Sequence, residues 1–289
     1  VRFAAALSRV VLWLATTVAL AVAIPAGWTQ LHVVDADGYA AMAREAAFDP
    51  ALQSAMAAEL TTRAMALIAA HGGGRQPVGG AKVHEAAAAF TAGPEFPPLF
   101  AQANRAAHGW LFTDERSGQN AGQWVVDVAP MLNDGSLRQV LTSYHVPIPA
   151  SLTVPITVSV PQPLRQGQLH PLARWGPWVT VGAIALSGVC AALTLFAARR
   201  RGKALTSLGV SALLVGGGGW AAIEIGDGYL NHALNRTTGD IRRIAEVMVD
   251  HAEASLHQWL NSTLLAGIVV VGFGVIVAIV GGLRRGGPA

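Results

Sequence analysis

The sequence predicts a mainly α membrane protein. It has four transmembrane helices, a mostly helical α+β extracytoplasmic domain between helices 1 and 2, and an amphipathic helix between helices 3 and 4. Three observations predict this. Four uncharged apolar segments lie at residues 10–28, 178–198, 204–223 and 264–283. All seventeen Asp and Glu, from Asp35 to Glu253, fall on one side of the map those segments draw. Only Arg and Lys flank the segments on the other side.

Each apolar segment is long enough to cross about 30 Å of hydrocarbon as a helix rising about 1.5 Å per residue. Arg2 and Arg9 precede the first, Arg199, Arg200, Arg201 and Lys203 fill the turn between the second and third, and Arg284 and Arg285 follow the fourth. Cations near short loops face the cytoplasm. Taking those eight from the twenty Lys and Arg leaves twelve against seventeen carboxylates on the exported side. The pI of 9.5 therefore reflects lipid-facing anchors, and nucleic acid is not expected as a partner. Trp28, Trp175, Trp178, Trp220 and Trp259 sit near the outer ends of the spans, where amphipathic rings prefer the interface. The first segment competes with a cleaved signal peptide, since Ala21-Val22-Ala23 has the small-x-small form. Its nineteen apolar residues exceed the usual h-region of about 7 to 15, so an anchor is expected.

The expected divisions are residues 1–30 (cytoplasmic tail and first span), 31–174 (extracytoplasmic domain), 175–228 (second span, basic turn and third span), 229–261 (extracytoplasmic amphipathic helix) and 262–289 (fourth span and basic tail). The single cysteine, Cys190, lies in a span, so the exported domain must stand on its core without disulfides.

Within that domain, Asp49-Pro50 pairs an N-cap with a first-turn proline, and Leu52, Met56, Leu60, Ala64, Leu67 and Ile68 recur at helical spacing until His71 and three glycines. An alanine-rich helix is expected over about 81–92. Another follows Pro97-Pro98, with Leu99, Phe100, Ala103, Ala106, Ala107, Trp110 and Leu111 on its apolar face and Gln102, Arg105 and His108 outside it. Leu137, Val140, Leu141 and Tyr144 mark a shorter one. Residues 152–160 alternate strictly as a strand that Pro155 confines to an edge, and 124–128 is its natural partner. Between the third and fourth spans, Ile241, Ile244, Met248, Ala252, Leu256 and Trp259 form an apolar stripe opposite Arg242, Arg243, Glu246, Asp250, Glu253 and His257.

The runs Asp49-Pro50-Ala51-Leu52-Gln53, then residues 96–100 leading into Asn104-Arg105-Ala106-Ala107-His108, then Val125-Val126-Asp127-Val128-Ala129-Pro130, resemble a group of uncharacterised four-pass membrane proteins of high-GC actinobacteria. The resemblance covers most of the chain. It implies a cell-envelope location and this topology, and no chemistry.

No catalytic residue and no cofactor is expected. His84-Glu85 opens like the zinc-protease motif H-E-x-x-H, but Ala88 stands where the second imidazole belongs. Neither a nucleophile elbow nor a phosphate-binding glycine loop is present, and Gly216 to Gly219 reads as helix packing. Offsets of 4, 7 and 11 put Glu246, Asp250, Glu253 and His257 along one helical face, where a hard cation is a candidate and a solvated face of i,i+4 pairs is the plainer reading. Asn104, Arg105 and His108, with Glu224 and Asp227 at the outer end of the third span, are candidate binding-surface residues. Three function classes follow. The first is a non-enzymatic envelope binding, scaffold or assembly protein in the plasma membrane, whose partners are the bilayer and an envelope protein, lipid or wall component. The second is a transport or channel accessory subunit, for which intramembrane charge is lacking. The third is an envelope hydrolase, suggested only by the dispersed His71, His84, His108 and His145.

Overall fold

The computed structural model describes residues 2–71, 79–112, 125–133, 135–155, 167–198, 201–234 and 239–283. They form ten α-helices: α1 Arg2–Thr29, α2 Ala36–Ala46, α3 Pro50–His71, α4 Gly80–Thr91, α5 Phe96–Phe112, α6 Ala129–Leu132, α7 Gly135–Ser143, α8 His170–Ala197, α9 Arg201–Leu234 and α10 Gly239–Leu283. Four of these, α1, α8, α9 and α10, are long and apolar enough to cross a membrane, which makes this a membrane protein. Two compact units emerge. One comprises residues 1–30, 174–228 and 253–289; the other comprises residues 31–173 and 229–252.

The first unit holds the spans. Val179, Ile184, Val189, Ile268, Phe273 and Ile276 are all exposed, an outward apolar surface suited to lipid rather than water. Helices α9 and α10 run antiparallel and very close. A β-carbon on Gly202 would fall 2.7 Å from the Ala278 Cα, one on Gly209 2.8 Å from the Gly267 carbonyl oxygen, and one on Gly274 2.6 Å from the Thr206 amide nitrogen. Gly202, Gly209 and Gly216 are spaced seven apart, the repeat that keeps one seam facing a neighbour. Polar links fasten α1 instead. Trp13 Nε1 donates to the Ser207 carbonyl (3.0 Å), the Thr17 hydroxyl to Ser211 Oγ (2.8 Å), and Trp28 Nε1 to Ser255 Oγ (3.2 Å).

The second unit begins where α1 ends in a π-helical turn, Gln30–Val34, and the chain turns sharply into α2. Asp35 caps α2 by accepting from the Gly38 amide at 2.8 Å. The turn is so tight that a β-carbon at Gly38 would fall 1.7 Å from the Leu31 carbonyl oxygen. Asp49 likewise caps α3, accepting from the Ala51 amide at 2.7 Å, as its pairing with Pro50 predicts. Phe90, Phe96 and Phe100 then build an aromatic ladder between α4 and α5, with ring centroids 5.8 and 5.5 Å apart. Around it lie Leu52, Leu60, Val83, Met131, Leu132, Leu137 and Leu141, all fully buried.

Two features depart from expectation. The domain is helical rather than α+β: among the described residues the one sheet is a two-stranded antiparallel ladder of β1 Val125–Asp127 and β2 Thr153–Pro155, with Val126 opposite Val154. Asp127 ends it on one side. Its carboxylate accepts from the amides of Ala129 and Leu152 at 2.9 and 2.8 Å, so the strand turns at once into α6. Trp124 and residues 156–160 of the expected strands lie outside the described residues. Second, the amphipathic stripe and the fourth span are one uninterrupted helix, α10. Its first half closes the core of the second unit: Val247 is 3% exposed, and Ile241, Ile244 and Met248 pack on the same cluster. Leu256 and Trp259, assigned to the same stripe, belong to the spanning unit.

Burying Val247 in an apolar core makes it the sensitive point of α10. Val247→Asp leaves an unpaired carboxylate there and is expected to destabilise the second unit by about 3 to 5 kcal/mol. Asp250→Ala, on the exposed side of the same helix, is expected to stay within about 0.5 kcal/mol. Limited proteolysis and thermal unfolding in mild detergent would read both.

Candidate functional site

Helix α5 carries three of the candidate surface residues, and the structure separates them. Asn104 Nδ2 donates to the Phe100 carbonyl of its own helix at 2.9 Å. Arg105 is exposed and pairs with Asp37 on α2. His108 is not a surface residue: it is 4% exposed, and its Nε2–H donates to the Val33 carbonyl at 2.8 Å. That carbonyl only accepts, so the proton is assigned to Nε2. The ring stacks on Phe112 (4.2 Å, 16° between planes) and tilts against Tyr39 at 5.1 Å. Burial pushes the Tyr39 phenol above its ordinary value.

The correction has a local cause. Phe112 lies one turn after His108 on α5, and Tyr39 comes from α2, so the imidazole has an aromatic slot on the side the apolar spacing leaves as a rim. Beside it, Leu111 and Phe112 pack with Val34. The last-turn carbonyls of Trp110 and Leu111 accept from the amides of Gly167 and Leu169 at 3.1 and 3.0 Å, which closes the end of α5. The arrangement clasps α2 to α5: a buried histidine stack on one side, an exposed Arg105–Asp37 pair on the other.

The candidate cation face on α10 does not assemble. Glu246 is engaged by Arg242 Nε at 2.7 Å and Arg243 Nη1 at 3.4 Å. The Arg242 hydrogen bond holds its carboxyl below the usual carboxylate value. Asp250 is exposed, while His257 lies against the Trp220 ring of α9, centroids 3.9 Å apart. Among the described residues no three His, Cys, Asp or Glu come together as metal ligands. The plainer reading, a face of i,i+4 pairs, describes Arg242 and Glu246. Glu224 is exposed on α9, and the Asp227 side chain lies outside the described residues.

The dispersed histidines do not converge either. His71 Nδ1 bonds the Leu67 carbonyl of its own helix (3.1 Å), and His84 Nδ1 meets the Thr61 hydroxyl (3.2 Å). The exposed charged side chains of the helical unit include Arg105 with Asp37 on one helix pair, and Arg243 with Asp250 on α10.

His108→Leu keeps the ring's approximate volume and removes the donor, leaving the Val33 carbonyl unpaired. The expected cost is about 1 to 3 kcal/mol. Arg105→Ala should cost less than about 1 kcal/mol, since its pair is in water. Denaturant unfolding followed by tryptophan fluorescence, with Trp110 on the same helix and packed at its end with Val34, Leu111 and Phe112, would rank the two. Acid adds a second readout. A depressed Glu246 contributes stability above its unfolded pKa that is lost as pH falls through the folded one, so wild type should lose more stability than Glu246→Gln below about pH 4.5.

No protein-family model, curated protein or solved structure matches the chain, so the functional reading rests on the residues and their geometry.

Proposed function

We propose that the protein is a multi-pass cell-envelope protein of the plasma membrane that works by binding. Its helical unit lies outside the cytoplasm and holds a protein, lipid or wall partner, as a scaffold or assembly factor. The observation that carries this reading is α10. One helix supplies both a core segment of the helical unit, through Val247, Ile241, Ile244 and Met248, and an apolar span. Two loops far apart in the chain thus make a single folded unit on the carboxylate-rich side of the charge map, built on membrane anchors.

Supporting it, the exposed polar groups of that unit, among them Arg105, Asp37, Arg243 and Asp250, stand on a scaffold otherwise rich in alanine. They suit contact with a polar surface better than nucleophile and base chemistry. The orientation follows from the eight cations on the opposite side. The source and location are those of the four-pass actinobacterial envelope proteins that the chain resembles.

Two measurements test the reading. In a Cys190→Ala background, single cysteines at Ser117 and Gly202 are challenged on intact cells with a membrane-impermeant thiol reagent. Labelling at Ser117→Cys alone is expected, and labelling at Gly202→Cys alone reverses the orientation. For the activity, Arg105→Glu with Arg243→Glu should reduce cross-linked partner recovery from intact cells while the protein stays folded. Turnover of a peptide, ester or glycan by the purified protein, abolished by a single His→Ala change without unfolding, would replace binding with catalysis.

A further inference from the structure

The spanning unit contains a groove of about 520 Å³ walled by α1, α9 and α10. Its lining is apolar: Ala21 and Pro25 on α1, Leu214, Gly218 and Ala222 on α9, and Leu256 on α10 are among the residues that form it. Thr17 brings a hydroxyl to one end, but that group is already committed to Ser211 Oγ.

The groove is held open by contacts at both ends. Towards one end α1 is pinned to α9 through Thr17 and Ser211; towards the other it is pinned to α10 through Trp28 and Ser255. Between these fastenings small residues hold the wall back, and Pro25, which cannot donate to the Ala21 carbonyl, weakens the straight course of α1.

The four consecutive glycines of α9 divide their work accordingly. Gly216 and Gly219 face α10, where added β-carbons would strike Leu264 and Leu260 at 2.7 and 2.6 Å. Gly218 lines the groove, and a β-carbon there would meet nothing within 4 Å. Helix packing does not require glycine at that position, and glycine costs a helix up to about 1 kcal/mol relative to alanine. Its effect is to leave space.

We infer that this groove is a binding site for one acyl chain of a membrane lipid. The walls belong to helices apolar enough to span a bilayer, so the surrounding medium is hydrocarbon. A polar solute or ion would find no free polar side chain among the residues named. A second copy of a span is the poorer match in length. From Thr17 to Pro25 the groove runs eight residues, roughly 12 Å of helix, against the roughly 30 Å that a spanning helix lays down. A stretch of acyl chain fits that length and has no side chains to accommodate.

The full chain in vesicles of equal parts phosphatidylglycerol and phosphatidylethanolamine, doped with a phosphatidylethanolamine carrying a mid-chain diazirine, tests this. After photolysis, peptides covering residues 17–25 and 214–223 should carry more label than the exposed 179–189 face of α8. Gly218→Leu fills the groove and should lower that label on the order of tenfold. Ala21→Leu, at an exposed position, should act likewise and carries the test if the first variant does not fold. Gly217→Leu also points into open space, is not among the lining residues, and should change nothing. Equal label in wild type and both groove variants overturns the site, as does an equal loss in Gly217→Leu. A photo-crosslinked dimer that disappears in Gly218→Leu identifies a second copy as the occupant and overturns the lipid.

Discussion

Helices α9 and α10 approach until a β-carbon on Gly209 would sit 2.8 Å from the Gly267 carbonyl oxygen, and the remainder of the spanning unit is arranged around that approach. Hydrocarbon leaves backbone groups no partner except their own helix, so each span is continuous. Apolar side chains gain nothing by leaving lipid for one another, and close backbone contact supplies the attraction instead. Glycines at 202, 209 and 216 on one helix and at 267 and 274 on the other make that contact possible over the length of a span. Alanine at Gly209 would have to displace backbone rather than a flexible side-chain tip.

The helical unit obeys a different rule because its backbone can meet water at every turn. Its chain reversals are managed by short acidic side chains: Asp35 at the start of α2, Asp49 at the start of α3, Asp127 between β1 and α6. Each satisfies amides that a helix start leaves unpaired, worth about 0.5 to 2 kcal/mol apiece. Without disulfides, the core rests on three phenylalanines and a set of leucines filling gaps between alanine-faced helices, which lets α3, α4 and α5 pack closely.

The spans were legible because hydropathy is a sum over about twenty residues and single exceptions do not upset it. Helices α3, α4, α5 and α7 were legible from apolar spacing, and the Asp49-Pro50 boundary from capping chemistry. Helix α2 is not legible: Asp35-Ala36-Asp37-Gly38 looks like a turn, and its buried face is mostly alanine, Ala40, Ala43 and Ala46, with only Met42 as a larger side chain. Four-residue α6 is too short for any period to show. His108 reads as a rim residue because its slot is built by Tyr39, on a helix whose small buried face leaves little apolar pattern. On α10 the offsets of 4, 7 and 11 do trace one face. Charge neighbours decide what it does, since Arg242 and Arg243 engage Glu246 while Trp220 takes His257. The seven-residue glycine spacing was present in the sequence but overshadowed by the four-glycine run beside it.

That run also shows how polar and apolar fastening divide the spanning unit. Hydroxyls inside the spans mostly return to their own helix: Thr16 to Leu12, Ser187 to Ala183, Thr194 to Cys190, Thr206 to Gly202, each donating to a carbonyl one turn back at 2.7 to 3.0 Å. Such bonds satisfy a polar group in hydrocarbon without tying helices together. Of the hydrogen bonds that do cross, those from Trp13, Thr17 and Trp28 start on α1, and one joins α9 to α10, from Trp220 Nε1 to Asn261 Oδ1 at 3.2 Å. Helices α9 and α10 are therefore joined mainly by shape along their length, and α1 by a few directional bonds at intervals. A helix fastened at points leaves room between them, whereas one fastened along a seam does not. The groove beside α1, and the glycine at 218 that faces it without packing on anything, follow from that difference.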